Sequence, residues 1–296
     1  MQTEPLQQDF RYRFLIESAN TRGVLVRLDE SWQETLRRAD YPPAVMTILA
    51  EAMSAIVLLG ANLKFQGKLS LQVKGDGPVS LMVVQVTESG KVRGMADWSE
   101  TPPQTTRLPE LFGAGQMSIT MSGATPGQDY QGFVSLEADD LATALMDYFA
   151  QSEQLPTWIQ LASNPRSAGG FLLQRLPGST DQDAEGWNRA SQLGSTLSAD
   201  ELLTLPVDAI LHRLFHEETV RLYTAEEVAF SCNCSRERVG NMLLGLGEEE
   251  ANSILEEQGS ISVTCEFCRN TQVFDPVDVG SLFAGTPTTP DEGQTH

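Results

Sequence analysis

The sequence predicts an α+β protein built from three consecutive segments. Within the first 176 residues, short segments that alternate apolar and polar residues, such as Leu69–Val73, stand beside longer ones with helical apolar spacing, such as Pro43–Leu63. The composition changes at the polar, turn-rich segment 177–183. All four cysteines of the 296-residue chain lie beyond residue 230. We therefore expect an N-terminal α/β sandwich-like domain (1–176), a helical linker (177–230) and a small C-terminal four-cysteine domain (231–296).

The elements of the N-terminal domain follow from apolar periodicity. The predicted strands are Arg11–Glu17, Gly23–Leu28, Leu69–Val73, Val79–Val86, Val92–Met95, Met117–Met121 and Gly132–Leu136, with turns at 20–22, Gly75–Pro78 and Ser89–Gly90. The predicted helices are Ser31–Arg38, Pro43–Leu63 and Asp139–Phe149, the last capped by Asp139 or Asp140. The Gly75–Pro78 segment lacks the Lys-Ser/Thr pair of a phosphate-binding loop, so we interpret it as a plain turn.

One apolar stretch, Ala44–Leu63, raises the question of a membrane span. It contains four polar residues and begins just after two prolines, which favours a buried core helix. Residues 1–9 lack the basic and apolar regions of a secretion signal. The sequence thus predicts a cytoplasmic protein without a membrane partner. In that compartment paired cysteines are more often metal ligands or redox centres than structural disulfides.

Short helices are predicted through the linker. Ser198 and Glu201 form a capping-box pattern, and Val207–Phe215 carries an apolar stripe. Helices this short are marginal alone, so their apolar faces are expected to dock on the N-terminal domain.

The C-terminal domain combines two helices and a hairpin around its cysteines. Ser235 is placed to cap a first helix, and Glu248–Gln258 forms a second that stops at Gly259. Ile261–Val263 and Gln272–Phe274 flank the second cysteine pair and predict a small hairpin. The Thr/Pro/Gly-rich tail from about Gly285 onward is predicted to be disordered.

The four cysteines form two close pairs, Cys232/Cys234 and Cys265/Cys268, with thirty residues between the pairs. Each pair can supply two thiolates from one bend, as a tetrahedral four-thiolate zinc site requires. We predict one zinc ion bound by all four. No ligand position remains for water, which argues against zinc-activated hydrolysis. A thioredoxin-type catalytic pair is disfavoured because the CxxC lies between two strands and does not open a helix. A purely structural zinc remains an alternative.

Charge and histidine content weigh against two other classes of function. The net charge is −20, and residues 231–296 hold three basic and eleven acidic residues, a net charge of −8. A zinc-ribbon nucleic-acid-binding protein, the main alternative, needs Lys and Arg for phosphate contacts. The chain has three histidines, His212, His216 and His296. His212 and His216 have metalloprotease-helix spacing, but Arg213 replaces the required Glu, so no enzyme is predicted.

At the cysteine motifs the chain resembles the heat-shock protein 33 family, the redox-regulated 33 kDa chaperonins. The matching segments are Cys232–Arg238, the following helix to Gly245-Leu246-Gly247, Val263–Cys268 and, upstream, Gly75–Pro78 with Val92-Arg93-Gly94. The resemblance covers essentially the whole chain. Two residues depart from it. Arg269 stands where a small residue often follows the CxxC, and Gln272 stands where an aromatic is frequent.

The resemblance implies an ATP-independent holdase, a chaperone that binds unfolding client proteins during oxidative stress. The reduced, zinc-bound form is inactive in the family. Oxidation forms the disulfides Cys232–Cys234 and Cys265–Cys268, releases zinc and favours a homodimer. Those disulfides would close only short loops, which constrain an unfolded chain little. We therefore expect loss of zinc to unfold the C-terminal domain, and dependent linker helices to detach from the surface they cover.

Overall fold

The computed structural model describes residues 9–63, 67–123, 129–177 and 182–284. The chain divides into two compact units, an N-terminal unit that ends at Ser231 and a C-terminal unit that begins at Cys232. The predicted disordered tail from Gly285 lies outside the described residues, as does most of the boundary segment 177–183.

Two six-stranded sheets form the frame of the N-terminal unit. Sheet A has the order β10-β1-β2-β9-β8, with β11 also paired to β1; its strands are β1 (Phe10–Ile16), β2 (Thr21–Leu28), β8 (Thr157–Ser163), β9 (Ala168–Arg175), β10 (Val220–Leu222) and β11 (Glu226–Glu227). Sheet B has the order β12-β5-β4-β3-β6-β7; its strands are β3 (Lys68–Lys74), β4 (Val79–Thr87), β5 (Lys91–Trp98), β6 (Gln116–Ser122), β7 (Tyr130–Val134) and β12 (Ala229–Phe230).

A long helix, α2 (Pro43–Asn62), lies in the core between the two sheets. Pro43 occupies its first turn, where the missing amide proton is not needed. The helix is long and apolar enough to span a membrane, but 83% of its most apolar window is buried inside the protein. Its side chains share one core with inward residues of both sheets, such as Val24 of sheet A and Val84 of sheet B. The predicted buried core helix is confirmed.

Three shorter helices complete this core. They are α1 (Glu30–Leu36), α3 (Leu108–Phe112) and α4 (Leu141–Tyr148). The Asp140 carboxylate caps α4 by accepting a 2.8 Å hydrogen bond from the Thr143 amide, which settles the choice of cap residue.

Glu51 of α2 gives the N-terminal unit a pH-dependent stability. Burial, and secondarily the Asp140 charge, raises the pKa of Glu51 from its usual 4.5 to about 7. The folded state therefore binds more protons than the unfolded state between these values, so stability falls as pH rises from about 4.5 to 7. We expect Glu51→Gln to raise the free energy of unfolding by about 1–3 kcal/mol at pH 8 and to have little effect near pH 4. Urea unfolding at both pH values checks this, with Glu100→Gln as the exposed control.

The outer face of sheet A carries a second apolar core, covered by three helices. These are α5 (Gln182–Gly194), α6 (Ala199–Thr204) and α7 (Val207–Phe215). Strand residues alternate between faces, so Leu25 and Phe171 point to the outer core whereas Val24 and Leu172 point to the inner one. The predicted capping box of Ser198 and Glu201 is present at α6. We name α5, α6 and α7 the cover helices.

Residues 220–230 follow the cover helices and differ from prediction. The sequence places them in a helical linker, but they form three short strands. β10 and β11 pair with the edge of β1, and β12 pairs in parallel with β5 of the other sheet. We name residues 220–230 the strap. Its strands are two or three residues long, too short for a periodic pattern, and they are determined by pairing with distant edges.

The C-terminal unit holds a hairpin and three helices. The hairpin pairs β13 (Ile261–Thr264) with β14 (Thr271–Phe274). The helices are α8 (Arg236–Leu246), α9 (Glu248–Gln258) and α10 (Pro276–Ala284). The Ser235 cap and the left-handed Gly259 stop are as predicted.

Every strand predicted in the N-terminal domain is present, although β8 and β9 were not predicted. The turn between the first two strands was predicted at residues 20–22, and this position was wrong. The chain turns at Glu17–Ala19 with Asn20 in the left-handed region, and Thr21 and Arg22 already pair within β2.

Candidate metal centre

The four cysteines meet at one point of the C-terminal unit, as the sequence predicts. Their Sγ atoms all lie within 4.8 Å of one another. Two loops supply them: Cys232 and Cys234 precede α8, and Cys265 and Cys268 lie in the turn between β13 and β14. Two cysteine pairs with thirty residues between them in sequence are thus brought together.

The first pair is held by the start of α8. The Ser235 hydroxyl accepts a 3.2 Å hydrogen bond from the Arg238 amide and fixes the direction of the helix. The Arg236 guanidinium donates to the Val273 carbonyl at 2.7 Å, lies 4.2 Å from the centre of the Phe274 ring and pairs with Asp278 at 2.6 Å. Arg236 therefore connects the segment of the first pair to β14 and α10.

The second cysteine pair lies in the tight turn between β13 and β14, residues 265–270, which we name the knuckle. The Arg269 amide donates to the Cys265 carbonyl at 2.8 Å, and the Cys265 amide donates to the Asn270 carbonyl at 3.0 Å. The amides of Phe267 and Cys268 also donate to the Cys265 sulfur, which favours its thiolate form. Such amide-to-sulfur bonds orient a sulfur that ligates a metal.

Arg269 departs from the family pattern at a position with an unusual backbone. Its φ is 56°, in the left-handed region where a side chain is disfavoured. This explains why a small residue suits the position. Gln272, the other departure, lies within β14 opposite Val263 and away from the turn. Neither residue supplies a ligand atom.

The sulfur arrangement fits a tetrahedral ion. A zinc–sulfur bond of ~2.3 Å places neighbouring sulfurs of a regular tetrahedron about 3.8 Å apart. The Cys232 and Cys265 sulfurs are 3.6 Å apart, and those of Cys234 and Cys268 are 3.0 Å apart. With all separations under 4.8 Å, small adjustments bring the four sulfurs to the distances that a single ion requires.

Without a cation between them, the clustered thiols favour their protonated form. Burial, together with the neighbouring thiols, raises the pKa of Cys234, and burial raises the pKa of Cys265. Four thiolates this close would repel one another strongly without a positive charge between them. A divalent metal supplies that charge and favours deprotonated sulfurs. The four thiols are positioned to hold a metal ion.

The apolar core around this centre is small. Five apolar side chains besides Cys268 are buried in it: Leu243, Ala251, Ile261, Phe274 and Val279. A unit of this size seldom obtains more than ~3–5 kcal/mol from its own core. A metal ion held by the four thiols would therefore add a contribution larger than that of the core itself.

The two histidines that the structure describes take no part in this centre. His212 lies on α7 and His216 is the residue that caps its C-terminus; both side chains are exposed, and their ring centres are 5.9 Å apart. His296 lies outside the described residues. The sequence did not identify Arg236 as a residue that supports the cysteine cluster. Its position directly after a cysteine pair and a helix cap could have indicated that role.

Comparisons with known proteins agree on one family. A sequence model described as "Hsp33 protein" matches residues 9–275. A 33 kDa chaperonin of Shewanella sediminis is 44% identical over 95% of this chain and 98% of its own length. One of Chromobacterium violaceum is 46% identical over 92% of each chain.

A solved structure agrees on the fold. The crystal structure of a 33 kDa chaperonin (heat shock protein 33 homolog) from Thermotoga maritima covers 94% of this chain and 98% of its own, with a TM-score of 0.80 at 24% identity. At that identity the likeness concerns the fold alone.

Proposed function

This chain belongs to the Hsp33 family, and from that premise we propose that it is a redox-regulated, ATP-independent holdase with a zinc-controlled C-terminal unit. Its relatives are named chaperonins, so the general function is that of a chaperone. The observation that carries the finer proposal is the cluster of four sulfurs within 4.8 Å in a unit with a small core.

In the reduced state we propose that Cys232, Cys234, Cys265 and Cys268 hold one zinc ion. Four-thiolate coordination is typical of structural zinc, and the ion supplies ~10–16 kcal/mol of apparent binding energy in finger peptides. The protein's own residues prepare the site. Arg236 fixes the first loop, and the knuckle amides orient Cys265.

Under oxidation each thiolate pair would lose two electrons to an oxidant such as peroxide, which is reduced to water. We propose Cys232–Cys234 and Cys265–Cys268 as the disulfides formed. The shortest sulfur contacts cross between the pairs, so a crossed pairing is the competing outcome. Disulfides within each pair would leave the two cysteine-bearing loops without a covalent link to each other, so the unit would unfold. Disulfides between the pairs would keep the two loops joined.

The N-terminal unit offers a surface that such unfolding could expose. The cover helices lie on outer-face residues of sheet A such as Phe14, Leu25 and Phe171. Arg27 of β2 holds α6 against sheet A by donating hydrogen bonds to the Leu202 and Leu205 carbonyls at 2.5 and 2.7 Å. Along the chain, the strap ends at Phe230, two residues before Cys232. We propose that unfolding passes along the chain into the strap and the cover helices.

The exposed outer face of sheet A would then bind unfolded or partly folded client proteins. Each large apolar side chain transferred from water contributes ~1.5–3 kcal/mol, so a face of this kind can hold apolar client segments. The same exposed surface would favour a homodimer.

The net charge of −20 keeps such a protein soluble and disfavours binding to nucleic acid, so the zinc-ribbon alternative is not favoured. We assign no catalytic reaction and propose a cytoplasmic location without membrane binding.

We expect suppression of client aggregation to require oxidation and to rise in parallel with zinc release. The assay follows light scattering of a thermally unfolding client, with the reduced zinc-loaded chain, the peroxide-treated chain and the re-reduced chain. Diamide is the control oxidant, because it oxidises thiols and spares the nine methionines. Peptide mapping identifies the disulfides. Equal suppression before and after oxidation, or crossed disulfides in the active form, would contradict the proposal.

A further inference from the structure

The N-terminal unit contains a cavity that the redox mechanism does not use. It has a volume of about 300 Å³ and lies between the two sheets at the C-terminal end of α2. Apolar side chains from the helix and both sheets line it, among them Leu59, Leu69, Ile119, Met121 and Leu172. Its size is at the lower end of the range for small-molecule sites.

Two polar residues occupy inward positions of sheet A at this cavity. Arg22 alternates with Val24 and Val26 along β2, and both valines belong to the inner core. Gln174 stands two residues from the inner-core Leu172 on β9 and pairs across the strands with Arg22. The register therefore places an arginine where the strand pattern calls for an apolar residue.

The Arg22 guanidinium is held in place by a neutral partner. Its Nε and Nη2 atoms both donate to the Gln174 Oε1 atom, Nε at 3.0 Å, and Gln174 in turn donates to the Thr157 hydroxyl at 2.8 Å. Gln174 is only 2% exposed, so it is a fixed support. Among the described residues no carboxylate lies within ion-pair distance of Arg22. A partly buried cation without an opposite charge is costly.

The acidic residue of the same cavity is already satisfied. The Glu153 carboxylate accepts hydrogen bonds from the Tyr148 hydroxyl at 2.9 Å and the Tyr130 hydroxyl at 3.2 Å. The charge that lacks compensation in the cavity is thus the positive one of Arg22. Arginine's planar fork suits a carboxylate, which it binds through two parallel hydrogen bonds.

We propose that this cavity binds a medium-chain carboxylic acid, with its carboxylate on Arg22 and its alkyl chain along Leu59, Leu69 and Ile119. A volume of about 300 Å³ accommodates on the order of ten groups of water or methylene size, each taking ~30 Å³. The site lies within the N-terminal unit and is independent of the redox state of the cysteines.

The test compares decanoate, decanol and decylammonium by calorimetry, below their micellar concentrations, on the reduced zinc-loaded chain. Decanoate is expected to bind at least tenfold more tightly than decanol, and decylammonium more weakly than either. Arg22→Gln should weaken decanoate binding at least tenfold and leave decanol binding unchanged. Arg166→Gln, an exposed arginine in the turn between β8 and β9, is the matched control and should change neither.

A second variant tests the position of the alkyl chain. Met121→Trp fills the cavity and should weaken decanoate and decanol alike, without altering Arg22. Thermal unfolding of each variant verifies that it is folded. The proposal is overturned if decanoate does not bind saturably, if decanol binds equally well, or if Arg22→Gln and Arg166→Gln have the same effect.

Discussion

Replacing Cys234 by serine is expected to abolish zinc binding in the reduced chain and to unfold the C-terminal unit, with detachment of the strap and the cover helices, while the inner core of the N-terminal unit around α2 stays folded. The Cys234 sulfur lies 3.0 Å from that of Cys268, at the point where the two loops meet. A serine hydroxyl is not a thiolate ligand, so the tetrahedral set would lose one of its four members. The remaining three sulfurs cannot close the site.

The size of the effect follows from the core of this unit. Structural zinc contributes ~10–16 kcal/mol of apparent binding energy in finger peptides, whereas a unit of this size obtains ~3–5 kcal/mol from apolar burial. The exposed salt bridge between Arg236 and Asp278 does not replace the lost metal, since surface ion pairs contribute ~0–1 kcal/mol. We therefore expect α8, α9 and α10 to unfold together.

Zinc content and amide hydrogen exchange measure this outcome. Zinc should fall from one ion per chain to none, and peptides from residues 236–284 should lose protection while those from α2 keep it. Ser262→Ala, an exposed change on β13, is the control and should retain zinc and protection. Persistent protection of α8–α10 in the zinc-free variant would show that the apolar core suffices, and the proposed switch would then have no mechanical basis.

Sequence patterns predicted the elements whose residues alternate or repeat over many positions. The helix α2 and the paired strands β3 and β4 fall in this class, and the cysteine cluster was predicted on a different ground. The cysteines were predictable because metal coordination restricts ligand type and spacing more tightly than packing restricts a core. The cap at Ser235 followed for a related reason, since a single side chain satisfies the first amides of a helix.

The elements that were missed depend on distant partners. β9 is buried along nearly its whole length because α2 covers one face and the cover helices the other, so it shows no alternation. The strap strands β10–β12 are determined by the edges of β1 and β5. The cavity beside Arg22 requires the register of β2 against β9, which no local pattern contains.

Replacing Phe215 by alanine is expected to give a chain that suppresses client aggregation without oxidant while its zinc remains bound. Phe215 is 1% exposed on α7, and its ring centre lies 6.3 Å from that of Phe14 on β1. Removing a buried phenylalanine costs ~3–5 kcal/mol. Here the loss falls on the contact between a cover helix and sheet A, so it favours detachment of the cover helices.

The expected shift is large because the cover helices are short. α6 and α7 have six and nine residues and depend on docking for their stability. At about 1.4 kcal/mol per tenfold change, a loss of ~3–5 kcal/mol raises the detached population by about two to three and a half orders of magnitude. Exposed apolar surface can be followed by dye binding, and holdase activity by light scattering, both under reducing conditions with zinc quantified in parallel.

Phe112→Ala is the matched control, because it separates exposure of this surface from general loss of stability. Phe112 is also fully buried, but it lies on α3 in the inner core and not under the cover helices. The two variants should lose comparable stability, yet only Phe215→Ala should suppress aggregation when reduced. Equal activity in both variants would indicate that any destabilised form of the chain binds clients. Inactivity of Phe215→Ala, despite increased dye binding, would place the client-binding surface elsewhere than the outer face of sheet A.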